Sequence, residues 1–263
     1  MKIYIMTDLE GVAAVVGKAG EPLGPQNPQH ALAQRMLTSE VNAAVEGALA
    51  GGATEIIVDD CHGPGLSLLY DQLHPEVRIV IGKPRWRHLP ALDPSFDAMF
   101  LIGYHAMAGT EGGILSHTES SVGIHNMWLN GVQVGEIAID AACAGSLGVP
   151  VVLVTGDKAA TEEAKRVLGE KVRTVAVKEG LSRNAALSLH PAKARELIRQ
   201  AAEDAVRHIH EVQPLVFEPP YRMRTEYKLE SSADAAMSTH AGNVTRVDSR
   251  TIEVVSDSMF GVI

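Results

Sequence analysis

A short apolar run, a polar cluster at its end and then a stretch with helical apolar spacing form a unit that recurs along this chain. Apolar runs at residues 2–7, 55–59, 98–103, 151–155 and 172–177 alternate with helical patterns, and strands alternating with helices build a parallel sheet. The clearest amphipathic helix spans 191–209, with apolar residues at 194, 197, 198, 201, 202, 205, 206 and 209. Asn27-Pro28 reads as the start of the first helix, Asn as its cap and Pro at its first position, and Gly51-Gly52 as its end. A short helical pattern covers 66–73, a further strand 77–81, a helix 135–147, and Asp157 reads as the cap of a helix over 159–168. After Pro214, β-like runs at 215–217, 223–229 and 251–255 predict a smaller portion. The expected fold is α/β, a mostly parallel sheet with flanking helices and a smaller α+β C-terminal portion. Its expected division is a core of residues 1–160 and a portion of residues 161–263 packed on that core.

With 46% hydrophobic but only 4% aromatic residues, Ala, Val, Ile and Leu must fill the core. A net charge of −9 argues against nucleic acid or an anionic membrane as partner, since either needs a basic face. No apolar run approaches the ~20 residues of a membrane span, and residues 1–8 lack the pattern of a signal peptide. Cys61 and Cys143 are too few for a disulfide framework, which points to a reducing cytoplasm.

In open α/β sheets, ligands bind beyond the carboxyl ends of the parallel strands. Here those ends read Asp8-Leu9-Glu10-Gly11, Asp60-Cys61-His62-Gly63 and Tyr104-His105. Residues two apart on extended chain share a side, so Asp8 with Glu10, and Asp60 with His62, form potential two-ligand claws. Mixed carboxylate and imidazole donors suit Zn²⁺ first, with Mn²⁺ and Co²⁺ also compatible. Crowded carboxylates repel unless cations separate them, and a bridging Asp commonly holds two metals about 3.5–4 Å apart. The residues before 160 therefore form a metal-binding α/β core in this reading.

Glu136 opens a helix after Gly135, where a carboxylate is also favoured without any metal, so both readings stay open. His117 lies in the small-residue stretch 113–123, which permits close approach to a substrate. Asp59 and Asp157 read as turn or cap residues. His30, His74, His88, His125, His190, His208, His210 and His240 read as surface or packing residues. A two-metal phosphoesterase or other amidohydrolase and a non-catalytic metal-binding module are the alternatives; no Walker-type glycine loop and no Arg/Lys cluster near the proposed site is legible.

Taken together, several segments resemble the D-aminopeptidase family, peptidase family M55. They are Met6-Thr7-Asp8-Leu9-Glu10-Gly11, Val58-Asp59-Asp60-Cys61-His62, Leu101-Ile102-Gly103-Tyr104-His105-Ala106, Leu115-Ser116-His117, Val134-Gly135-Glu136, Gly156-Asp157 and Leu181-Ser182-Arg183, in family order across nearly the whole chain. The resemblance implies a dinuclear aminopeptidase, two Zn²⁺ per chain, releasing N-terminal D-residues from short peptides of the D-Ala-D-Ala type. It implies Asp8 as the bridging ligand, Glu10, Asp60, His105 and Glu136 as the other ligands, and His117 as the catalytic residue. His62 matches a residue near the metals, a facultative ligand. The family also implies a homo-oligomer, a decamer built as closed rings. Residues 20–28 differ in composition from the family loop, and relatives continue past the position of Ile263 into a further helix.

Overall fold

Alternation decides the layering. In β1 (Lys2–Thr7), Ile3 and Ile5 face one side while Tyr4 and Met6 face the other, as the two-residue period of a strand requires. Both sides are buried, so the strand is central. The computed structural model describes residues 1–239 and 243–263, and His240 lies outside the described residues. After β1 come α1 (His30–Gly51), β2 (Glu55–Asp60), β3 (Val77–Val80) and β4 (Ala98–Tyr104). A hairpin of β5 (Ile124–Leu129) and β6 (Val132–Val134) turns at Asn130-Gly131, both at positive φ, and leads to α2 (Glu136–Gly145). Then follow β7 (Val151–Asp157), α3 (Lys158–Leu168), β8 (Arg173–Ser182), β9 (Ala185–Ser188) and α4 (Pro191–Arg207). The last elements are β10 (Tyr221–Tyr227), α5 (Glu230–Thr239), β11 (Val244–Arg246) and β12 (Thr251–Ser256).

The main sheet has the order β3-β2-β1-β4-β7-β8-β9, parallel except for β9, which pairs antiparallel with β8. Leu37 and Val41 of α1 and Ile198 and Ala202 of α4 cover the Ile3 face. Ile137 and Ile139 of α2, with Met223, Ile252 and Val254 of a second sheet, cover the Tyr4 face. That second sheet is antiparallel, in the order β11-β12-β10-β5-β6. Each sheet draws strands from both sides of residue 160. No helix among the described residues is long and apolar enough to cross a membrane.

Three local expectations are corrected. Asn27 does not cap α1: its Oδ1 accepts from the Gln29 amide (3.0 Å) and its carbonyl from the His30 amide (3.0 Å), closing a turn ahead of the helix. Gln29 occupies the cap position, but its side chain instead accepts from the Val16 (2.9 Å) and Gly17 (2.8 Å) amides. Residues 66–73 form only a single 3₁₀ turn, Tyr70–Gln72, because the Ser67 and Leu68 amides donate to Asp60 and the Leu69 amide to Thr38. Residues 215–217 pair with no strand; the Leu215 carbonyl lies so close to Gly145 of α2 that a Cβ there would approach it to 1.9 Å.

Candidate metal centre

Strands β2, β1 and β4 are neighbours, and Thr7 of β1 is in register with Asp60 on one side and Ile102 on the other. The residues that follow these strands therefore converge at one edge. The chain after β1 folds over the end of β4, with the Asp8 amide donating to Ile102 (2.9 Å) and the Gly11 amide to Gly103 (2.7 Å). Only glycine permits this approach: a Cβ on Gly11 would sit 1.8 Å from the Tyr104 carbonyl oxygen, and one on Gly103, at φ +80°, 2.2 Å from that of Asp8.

Asp8, Glu10, Asp60 and His105 are consequently buried. The Nε2 of His105 lies 3.4 Å from Asp8 Oδ2 and 3.4 Å from Glu136 Oε1. His117 Nε2 is 3.7 Å from the same Glu136 oxygen, and its ring stacks on that of His105 at 4.0 Å. Ligand-type atoms of Asp8, Glu10 and His105 lie within 4.8 Å of one another, as do those of His105, His117 and Glu136. The Nδ1 of His105 is 2.9 Å from the Ala106 carbonyl, and that of His117 is 2.9 Å from the Leu115 carbonyl. Each carbonyl accepts from Nδ1, so Nε2 of both rings is turned toward the cluster.

Asp60 and His62 flank this group. Asp60 Oδ2 accepts from the Ser67 amide (2.7 Å), the Leu68 amide (2.9 Å) and the Tyr70 hydroxyl (2.9 Å). His62 spans Glu10 Oε1 (3.3 Å) and Ser67 Oγ (3.0 Å) with its two ring nitrogens. What stands out is what has no partner. Among the described residues, six buried side-chain polar atoms lack a hydrogen bond, and four of them are Asp8 Oδ2, Glu10 Oε2, Asp60 Oδ1 and His105 Nε2. Burial, reinforced by Glu10 and Glu136, pushes the Asp8 carboxyl well above the usual carboxylate range. Against the cost of burial, His62 holds Glu10 below that range and His105 does the same for Glu136. So dense a set of carboxylates keeps a proton unless another cation takes its position.

Asp59 is neither a turn nor a cap residue. It faces away from Asp60 by strand alternation and is fully buried between Arg85 (2.5 Å) and the Tyr4 hydroxyl (2.6 Å). The second Arg85 nitrogen donates to the Asp60 carbonyl (2.6 Å), fixing the backbone that carries Asp60. Asp157 does cap α3, accepting from Ala160 (2.8 Å), and it also accepts from Ile114 (3.0 Å). His88, read from sequence as a surface or packing residue, is 2.5 Å from Asp140 Oδ1, whose other oxygen accepts from Tyr104 (2.6 Å). A lone Asp inside the apolar stretch of α2 was the signal for that pair.

Lys178 is a further residue that sequence reasoning passed over. It ends the apolar run 172–177 as Asp60 ends its own, so the same rule about strand ends would have found it. A cavity of about 300 Å³ opens on the cluster and is lined by Asp8, Glu10, His62, His117, Glu136 and Asp140, among others.

An α/β sheet with carboxylates and imidazoles gathered in a cavity beyond its carboxyl edge is the architecture of a metal-dependent hydrolase. The family model of D-aminopeptidases, peptidase family M55, matches residues 1–263, and the chain belongs to that family. A D-aminopeptidase of Bacillus subtilis (strain 168) is 34% identical over 224 residues, covering 84% of this chain and 79% of that protein. The solved structure of the Zn-dependent D-aminopeptidase DppA from Bacillus subtilis, described as a self-compartmentalizing protease, matches with a TM-score of 0.90 at 28% identity. That match covers 100% of this chain and 94% of the other. The expected family and the expected α/β fold are thus both borne out.

Proposed function

We propose that the chain is a zinc-dependent D-aminopeptidase that holds two Zn²⁺ on Asp8, Glu10, Asp60, His62, His105 and Glu136 and uses His117 as its catalytic residue. The observation that carries this reading is the set of four orphaned atoms on Asp8, Glu10, Asp60 and His105. A buried polar atom left unpaired costs about 1–3 kcal/mol and more when charged, so four at one edge fit a cation that pairs with them. Mixed carboxylate and imidazole donors match zinc, and the Bacillus structure belongs to a protein described as Zn-dependent.

When bound, zinc supplies Lewis-acid polarisation of a carbonyl and lowers the pKa of water to near neutrality. The side chains do the rest. Asp8, 3.4 Å from His105 and clustered with Glu10, would hold zinc through its unpartnered Oδ2. Asp60 offers Oδ1 while Oδ2 is locked by three donors, and His62 orients Glu10. Arg85 and Asp59 brace the Asp60 backbone.

His117, with Nδ1 fixed on Leu115, turns Nε2 to the cavity, where it accepts a proton from the attacking water and passes it to the leaving amine. Glu119 lines the same cavity, and we assign it to the free α-ammonium of the substrate, which makes the enzyme an exopeptidase.

The relative is described as self-compartmentalizing, which supports a homo-oligomer for this chain, with a decamer as its proposed form. Two free cysteines support a cytoplasmic setting.

The test is a paired assay of zinc-loaded protein on D-alanyl and L-alanyl p-nitroanilide, with metal content measured on the same sample. Hydrolysis of the D-substrate, lost on chelation and restored by zinc, is expected. Metal-independent hydrolysis, or equal rates on both enantiomers, would refute the reading.

A further inference from the structure

A second cavity, of about 870 Å³, adjoins the first, and the two share Pro22, His117, Ser121 and Val122. Their charge balance differs. Where the first is lined by five carboxylates and one lysine, Lys83, the second is lined by Lys18, Arg166, Arg183 and Lys228 against a single carboxylate, Glu21. Glu21 is already spent, because it pairs with Lys18. The expectation that no Arg/Lys cluster lies near the site is therefore corrected. Its four cations come from four distant parts of the chain, and no sequence window holds two of them together except loosely.

None of the three remaining cations is neutralised, and two of them are oriented by backbone carbonyls. Arg183 Nη1 donates to the Ser116 carbonyl, while the Arg183 carbonyl accepts from the Leu115 amide (3.0 Å). Lys228 Nζ donates to the Ser121 carbonyl (2.5 Å). Carbonyl oxygens are neutral acceptors, so both positive charges persist, and both are tied to the segment that carries His117. Arg166 stands in the last turn of α3. Among the described residues, none of these three has a carboxylate within ion-pair distance. In a chain of net charge −9, a concave wall with three unspent cations draws an anion.

Resting on the D-aminopeptidase reading above, we infer that this second cavity receives the C-terminal carboxylate of the substrate on Arg183, Arg166 and Lys228. A peptide whose scissile carbonyl lies at His117, with its α-amine in the carboxylate-lined cavity, extends into the adjoining second cavity. Each extended residue spans roughly 3.3–3.6 Å, so one or two residues beyond the scissile bond bring a free carboxylate onto that wall. Guanidinium groups match a carboxylate in shape as well as charge. The peptide bound in this way is one whose two termini are both free.

The test uses N-acetyl-D-alanyl-D-alanine and its C-terminal amide, neither of which needs to be hydrolysed, titrated into the zinc-loaded full chain by calorimetry. Hydrogen bonds to a charged group make the acid bind on the order of 10–100-fold more tightly than the amide. In Arg183→Gln that ratio is expected to shrink toward one. Arg166→Gln, on an exposed helix end, gives the same reading should the first variant fold poorly. Equal affinity for acid and amide in the parent protein, or a ratio unchanged in both variants, would overturn the inference.

Hydrolysis of D-alanyl-D-alanine and its amide, run in parallel, separates the two proposals. Equal affinity for acid and amide in the parent protein, with hydrolysis of D-alanyl-D-alanine intact, defeats the carboxylate site alone. A persistent ratio with no hydrolysis of either peptide defeats the peptidase reading and leaves the anion site standing.

Discussion

The ammonium of Lys178 donates to the carbonyl oxygen of Glu10 at 2.5 Å, from a residue that is 168 positions away in sequence. It donates also to the carbonyls of Val12 (2.9 Å) and Val15 (2.5 Å), so one buried side chain from β8 gathers three carbonyls of the loop after β1. Burial draws its pKa down to about 8, against the pull of Asp157, Glu40, Glu10 and Asp8. A lysine so costly to bury is one whose position matters.

Lys178→Met keeps the volume and removes the donor. The loop carrying Asp8 and Glu10 loses its common anchor, and the expected result is a folded protein with zinc affinity lower by about 10–100-fold, the usual loss when a partner of metal ligands is removed. A competition titration against a chromogenic chelator measures this. Unchanged affinity would limit Lys178 to a structural role.

Glu40 holds the same loop from the other side, its Oε1 accepting from the Ala13 amide (2.9 Å) while Oε2 has no partner. Burial raises its carboxyl from 4.5 to about 7, partly offset by the Ala13 amide and Lys178. Between those values the unfolded chain releases a proton that the folded chain keeps. Stability from this group is therefore full below about 4.5 and is lost as pH rises through about 7. At 1.36 kcal/mol per unit the effect is roughly 3 kcal/mol. Glu40→Gln keeps the acceptor and abolishes the titration, so its melting temperature relative to the parent protein should rise between pH 5 and pH 8. A constant difference across that range would remove Glu40 from the pH dependence.

The edge of the sheet was legible because its logic is local. An apolar run followed at once by Asp-x-Glu or Asp-x-His has few structural uses, and parallel strands in register bring such ends together. Asp8, Glu10, Asp60, His62 and His105 were placed at this edge in that way. The partners that hold them were not, because they act across long separations: Lys178 reaches back to Glu10, and Arg85 reaches Asp59 and Asp60 from a loop. The hairpin of β5 and β6 joins β10 almost 100 residues later, a pairing that no periodicity announces. Asn27 misled for a different reason. Its side chain closed a turn with a nearer amide before the helix could use it.

Gly11 gives a test of how much the edge depends on close packing. A methyl group there would meet the Tyr104 carbonyl at 1.8 Å, a backbone atom that cannot swing aside. Gly11→Ala must push the Asp8–Glu10 segment off β4, at a cost of about 1–3 kcal/mol or more for overpacking. Urea denaturation should show a lower midpoint with an unchanged slope, together with loss of zinc at stoichiometric metal. A variant as stable as the parent and fully metallated would mean that the segment has room the structure does not show.

His117 separates catalysis from metal storage. Its Nε2 is 3.7 Å from Glu136 Oε1 and its ring lies on that of His105. Burial and the neighbouring His105 lower its pKa below the ordinary histidine value, so it is neutral near pH 7 and able to accept a proton. Replacing it should leave Asp8, Glu10, Asp60, His105 and Glu136 free to bind metal. His117→Ala is therefore expected to retain about two zinc ions per chain while turnover falls on the order of 10²–10⁴-fold, the loss that follows removal of an acid–base or oxyanion partner. Metal content and turnover on one preparation decide the matter: normal turnover would exclude His117 from the mechanism, and a lost zinc would make it a ligand.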